Sequence, residues 1–135
     1  MDRLDPARRS ANMAKIASKN TKIELVVRSI AHRLGYRFRL HRKDIPGTPD
    51  LAFPASRKVI FVHGCFWHRH QDCKLAYTPK SNLPFWLKKF AANVHRDTLV
   101  LKELEDSGWS ALVIWECETS DVSSLRDRIN HFLRS

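Results

Sequence analysis

The sequence predicts an α/β fold: a mixed sheet flanked by helices. Three observations carry this. Apolar residues recur at helical spacing in separated stretches, short β-type runs lie between them, and the order reads α-β-β-β-α-β-α. Consecutive strands followed by a helix and a return strand give antiparallel and parallel pairs in one sheet, with helices on both faces. At 135 residues the chain has the size of one domain (1–135). No internal repeat, long linker or low-complexity stretch divides it.

The elements follow in order. Residues 1–20 read as a basic arm, with Arg8, Arg9, Lys15 and Lys19, and Pro6 interrupts any early helix. Asn20 and Thr21 are helix caps, and Glu24 sits in the first turn, where a carboxylate suits the helix dipole. Ile23, Val26, Val27, Ile30 and Leu34 mark the inward face, and Gly35 ends the helix. Tyr36 to His41 alternates and predicts a strand. Ile45 to Pro49 is a turn, Asp50 to Phe53 a short strand, and Val59 to His63 a buried one. After a loop with Pro79 and Pro84, Phe85 to Ser107 predicts a long helix with Leu87, Phe90, Val94, Leu101 and Leu104 inward. Gly108 stops it. Ser110 to Cys117 is apolar almost throughout and predicts a central strand. Ser123 or Ser124 caps a last helix carrying Leu125, Ile129, Phe132 and Leu133.

Charge narrows the function. Lys and Arg number 24 against 14 Asp and Glu, a net +10, concentrated in the first 43 residues. This suits a polyanionic partner, nucleic acid first. A stretch of about 18 apolar residues is missing, so no membrane span is predicted. The polar N-terminus lacks a signal-peptide centre, which predicts a cytoplasmic protein. Three cysteines, an odd number, do not make a disulfide framework in a reducing compartment.

The segment FVHGCFWHRHQDC (61–73) gathers the chemistry. Cys65, His70 and Cys73 have the ligand types Zn²⁺ prefers, and Cys117 is the natural fourth, giving a closed, structural Cys₃His site. His68 competes with His70 for this role, and spacing does not decide between them. Asp50, entering one strand, and His63, ending the next, can meet at a sheet edge. Glu24 adds a second carboxylate. Such a cluster can hold Mg²⁺, which takes oxygen ligands and offsets charge during phosphodiester cleavage. His68 is the candidate general base and Asp97 the group that orients it. Each residue also has an ordinary role, as a turn cap, a helix-dipole partner or a surface ion pair. Phe66, Trp67 and Trp86 are large aromatics that either pack in a core or wedge between bases. Met13 on the arm can insert from the other groove.

Asp50 in PGTPD, the HGCFWH run and the later WEC together resemble the very short patch repair (Vsr) DNA mismatch endonucleases. The resemblance extends from SANMAKI through FWLKKFAANVHRD to GWSALVIWEC, nearly the whole chain. It implies a fold similar to restriction endonucleases, catalytic Mg²⁺ and structural Zn²⁺. It also implies nicking of double-stranded DNA 5′ to the T of a T:G mismatch, by a monomer at the bacterial nucleoid. By the same resemblance, Asp50 is the central Mg²⁺ ligand, Glu24 acts through water, and His63 supports the metal and phosphate site. His68 activates water with Asp97 behind it. Cys65, His70, Cys73 and Cys117 hold zinc. Phe66, Trp67, Trp86 and Met13 intercalate. Two departures stand out. Val62 replaces the family's common Thr, where the main-chain carbonyl is the metal ligand. His70 and Cys73 are separated by two residues, one more than the family spacing, so the loop must bulge to keep all four zinc ligands. Rival expectations are a different mismatch or defence-related substrate on the same fold, or a zinc-stabilised DNA-binding module without catalysis.

Overall fold

The computed structural model describes residues 21–135. The arm, the Asn20 cap and Met13 lie outside the described residues. The elements are α1 (Thr21–Arg33), β1 (Arg39–Leu40), β2 (Leu51–Phe53), β3 (Lys58–His63), α2 (Leu83–Asp106), β4 (Ser110–Trp115) and α3 (Val122–Arg134). This is the predicted order. The sheet runs β1-β2-β3-β4. β1–β2 and β2–β3 are antiparallel, and β3–β4 is parallel across the α2 crossover.

The period-two strands expose both faces of the sheet to cover. Leu51, Phe53, Ile60, Val62 and Ile114 meet α1 (Ile23, Val27, Ile30) and α3 (Leu125, Ile129, Leu133) on one face. Ala52, Val59 and Phe61 meet Leu104 of α2 on the other, with Val100 partly buried beside them. Each fully buried aliphatic side chain contributes about 1.5–3 kcal/mol, so these layers, not helix propensity, hold the helices in place.

Several expectations need correction. The predicted strand from Tyr36 to His41 shrinks to Arg39–Leu40. Gly35, at φ +90, turns the chain out of α1, and Tyr36 N–H donates back to Ala31 O. Tyr36 and Phe38 then spend their alternation packing edge-on against Phe53 rather than pairing in a ladder. The long helix begins before Pro84, not after it; proline is tolerated in the first turn because its missing N–H has no partner there anyway. Of its predicted inward residues, Phe90 and Leu104 are buried, but Leu87, Val94 and Leu101 are 52%, 43% and 38% exposed. α2 touches an aromatic cluster at its start and the sheet at its end, and its middle spans a cavity.

The last strand stops at Trp115 and lies at the sheet edge, not the centre. Its apolar run reflects helices on both faces: Leu112 and Ile114 turn to one layer, Ala111 and Val113 to the other. Its open edge is covered by Arg128, which donates to Val113 O at 3.1 Å. Cys117 falls in a 3₁₀ turn, Glu116–Ser120. Asp121, not Ser123 or Ser124, caps α3 by accepting from Ser124 N at 3.1 Å.

All six residues of β3 are buried. At its start, Lys58 donates from Nζ to the carbonyls of Phe132 (2.9 Å), Leu133 (3.2 Å) and Ser135. A cation there satisfies the orphan carbonyls at the end of α3. Among the described residues, no helix is long and apolar enough to cross a membrane.

Candidate active site

The turn before β2 places Asp50. Gly47 (φ +79) lies so close to Val100 and Phe61 that a Cβ would stand 2.4 Å from Val100 Cγ1. The turn is thereby pressed between α2 and β3. Asp50 Oδ2 accepts the Val62 N–H at 2.7 Å, which joins the start of β2 to the end of β3. Burial pushes the Asp50 carboxyl up to about 6; the Val62 bond opposes this, and the neighbouring Glu24 charge adds to it.

Glu24 is buried at the start of α1. Burial works against its charged form, but hydrogen bonds from His41 and Asp50, with the charges of His41 and Arg28, hold its pKa below the usual glutamate value. Arg28, one turn on, pairs with Oε2. His41 Nε2 lies 2.9 Å from Oε1 and 3.9 Å from Asp50 Oδ1. Glu24, His41 and Asp50 present donor atoms within 4.8 Å of one another. His41 was missed by the sequence reading. It sits in the polar run HRKD with no spacing that ties it to Glu24, seventeen positions away.

A second cluster joins His63, His68 and Asp97. His68 Nδ1 lies 2.7 Å from Asp97 Oδ2. Donation from Nδ1 to a carboxylate leaves Nε2 as the lone-pair nitrogen, the arrangement a general base needs. The His63 ring stacks on His68 at 3.8 Å and meets Trp115 edge-on. His63 is buried, and its Nδ1 has no hydrogen-bond partner. Burial, then the adjacent His68 charge, push its pKa down to about 4, with Asp97 opposing, so the ring is neutral at neutral pH. His41 and Asp50 of the first cluster and all three residues of the second line one cavity of about 290 Å³, together with Val62, Lys43 and Arg96, while Glu24 lies behind its wall.

Beyond His63 the chain turns into a third cluster. Cys65, His70, Cys73 and Cys117 bring their donors within 4.8 Å of one another. His70 Nδ1 lies 3.6 Å from Cys65 Sγ and 3.4 Å from Cys117 Sγ. Tetrahedral Zn²⁺, with sulfur at about 2.3 Å and nitrogen at about 2.0–2.1 Å, puts such pairs about 3.6 Å apart, so the donor set fits. The chain takes left-handed turns at Arg69 (φ 56), just before His70, and at Asp72 (φ 55), just before Cys73. Burial pushes the Cys65 thiol up to about 12, so without a metal it keeps its proton. His68 lies outside this group, stacked on His63 with its Nδ1 at Asp97.

The three predicted wedge aromatics form a packed cluster with Phe90. Phe66 and Trp86 are 4% and 9% exposed, while Trp67 is partly buried. Arg69 stacks over Phe90 at 3.9 Å and donates to the carbonyls of Phe66, Ala76 and Tyr77, tying the loop to this cluster. Phe85, half exposed and edge-on to Trp86, is a further surface aromatic that the sequence reading did not single out.

The family described as "DNA mismatch endonuclease Vsr" matches residues 1–75. The type II nicking enzyme V.XorIIP of Xanthomonas oryzae pv. oryzae is 51% identical over 132 residues, covering 98% of this chain and 96% of that protein. The type II nicking enzyme V.NmeAIP of Neisseria meningitidis is 41% identical over 128 residues, 95% and 91% of the two chains. The DNA mismatch endonuclease Vsr of Escherichia coli K12 is 41% identical over 123 residues, 91% and 78%.

Proposed function

The chain belongs to the family of Vsr DNA mismatch endonucleases, and from that premise we propose that it is a Mg²⁺-dependent nickase of double-stranded DNA. It cuts one strand 5′ to the T of a T:G mismatch, starting the repair of deaminated 5-methylcytosine. The observation that carries this reading is a single cavity lined by His41 and Asp50 of the first group, with Glu24 behind them, and by all of the His63–His68–Asp97 group. Binding alone requires no such pair of clusters.

Asp50, the Val62 carbonyl and, through water, Glu24 would hold the Mg²⁺. When bound, the ion supplies Lewis-acid stabilisation of charge on the phosphoryl oxygens. His68 accepts the proton of the attacking water at Nε2, and Asp97 fixes its tautomer and stabilises the imidazolium that forms. His63, neutral beside it, supports the phosphate. Lys43 and Arg96 on the cavity wall attract the DNA backbone, with the basic arm adding to a salt-sensitive grip. Cys65, His70, Cys73 and Cys117 would hold a closed structural Zn²⁺, which fixes the loop between His63 and the aromatics. Trp67, backed by Phe66 and Trp86, would press into the base stack, with Met13 entering from the arm; unstacking costs a few kcal/mol and is easiest at a mismatched step. One active site per chain suits a monomer that cuts one strand.

The test is cleavage of a panel of matched and mismatched duplexes, with and without Mg²⁺, with the nick mapped and bound metal measured. A nick 5′ to T in T:G duplexes only, Mg²⁺ dependence and one zinc per chain are expected. Equal cutting of matched duplexes, or none of any, would refute the reading.

A further inference from the structure

We propose that His41 is a direct ligand of the catalytic divalent cation, which makes the site a mixed nitrogen and oxygen set that takes Mn²⁺ in preference to Mg²⁺. This rests on the nuclease reading above and goes beyond it, since that reading assigns His41 no part.

The argument is geometric. Each carboxylate has one oxygen tied to the scaffold: Glu24 Oε2 to Arg28, and Asp50 Oδ2 to the Val62 N–H. The other oxygen of each faces the same imidazole nitrogen. His41 Nε2 is 2.9 Å from Glu24 Oε1 and 3.9 Å from Asp50 Oδ1. Ligands of an octahedral ion at about 2.1 Å lie about 3.0 Å apart when adjacent and about 4.2 Å apart when opposite. The His41–Glu24 separation matches an adjacent pair, which would put Glu24 Oε1 on the ion directly rather than through water, and the His41–Asp50 separation falls between the adjacent and opposite cases, so a small side-chain shift brings all three atoms onto one ion. The ring is aimed there by its backbone: His41 has φ 48, rare for a residue with a side chain, while its N–H still donates to Asp50 O. Strained backbone of this kind persists where the surroundings enforce it, commonly at functional sites. His41 also lines the shared cavity, so the ion and the phosphate can both reach it.

The chemistry sets the preference. Mg²⁺ takes oxygen ligands and gives up its waters reluctantly. Transition ions accept imidazole alongside carboxylate, and Mn²⁺ is the one closest to Mg²⁺ in its taste for oxygen. A hydrogen bond from His41 that merely orients Glu24 gives the same resting distance but no bond from nitrogen to the ion.

Pulsed electron paramagnetic resonance of Mn²⁺ added below one equivalent to zinc-loaded protein separates the two. Nitrogen coupling to Mn²⁺ is expected in the natural chain and is lost in His41→Gln. Competition titration should find Mn²⁺ bound at least about tenfold more tightly than Mg²⁺, with that ratio falling about tenfold in His41→Gln. No nitrogen coupling, coupling that survives His41→Gln, or equal weakening of both ions would overturn the proposal. If coupling is present but no mismatched duplex is nicked, the nuclease reading fails and the ligand assignment stands. Nicking without nitrogen coupling has the reverse meaning.

Discussion

The two ends of β3 carry opposite kinds of buried polar group. At one end Lys58 is wholly partnered, its ammonium shared among three carbonyls at the end of α3. At the other, His63 keeps a buried ring nitrogen without a partner, and Asp50, partly buried and bonded to Val62, is held near the buried Glu24. The strand is the same and its burial is uniform, so solvent access does not explain the contrast. What differs is satisfaction. The first end lowers the free energy of the fold. The second stores unfavourable desolvation that a cation and a phosphate, bound there as proposed, would relieve.

Asp50→Asn breaks the contrast most sharply. Nicking should fall by at least about 10³-fold, because the central anionic ligand is lost. The metal-free fold should become about 2 kcal/mol more stable at neutral pH, in line with a pKa raised from 3.8 to about 6. The sign follows from that direction: the folded chain binds the Asp50 proton more tightly than the unfolded one. The group therefore favours folding below 3.8 and opposes it increasingly as pH rises through about 6. Single-turnover nicking and metal-free thermal melts measure the two effects, and an unchanged or lowered melting temperature would count against stored desolvation at this end.

Asp97→Asn comes next. It should slow the chemical step about 10²-fold by allowing the wrong His68 tautomer, with DNA affinity within about twofold of the natural chain. An equal loss in binding would make Asp97 a DNA contact instead. Lys58→Met sharpens the contrast from the other side: a loss of about 2 kcal/mol in stability, because carbonyls at the end of α3 lose their donor, with the nicking rate unchanged in folded protein. The smallest effect is in pH. Below about 6 a metal must displace the Asp50 proton, so Mg²⁺ affinity by calorimetry should fall about tenfold per pH unit and level off above it. His63, already neutral above about 4, adds nothing in that window.

Particular residues show what was legible in the chain. Gly35, the turn with Gly47 and the short apolar runs of β2 and β3 carry local rules, and their elements lie where those rules put them. The cysteines are recognisable by ligand type, His70 only through the family resemblance, and the left-handed turn at Asp72 between His70 and Cys73 is a backbone event with no letter of its own. Leu87, Val94 and Leu101 show the limit of periodicity. It finds an apolar stripe, but not whether anything covers it, and α2 passes over a cavity at that point. The run in β4 misled in the same way, since helices on both faces make an edge strand read as a central one.

The sequence by itself determined the element order, the basic charge, the family and most members of the site, because these depend on local spacing and residue chemistry. Only the tertiary structure decided that His41 joins Glu24 and Asp50, that His41 and Asp50 line one cavity with His63, His68 and Asp97, and that Phe66 and Trp86 are packed inward. Each depends on strand register and helix docking. Those are set by the sum of many weak apolar contacts across distant parts of the chain, which no short stretch of sequence contains.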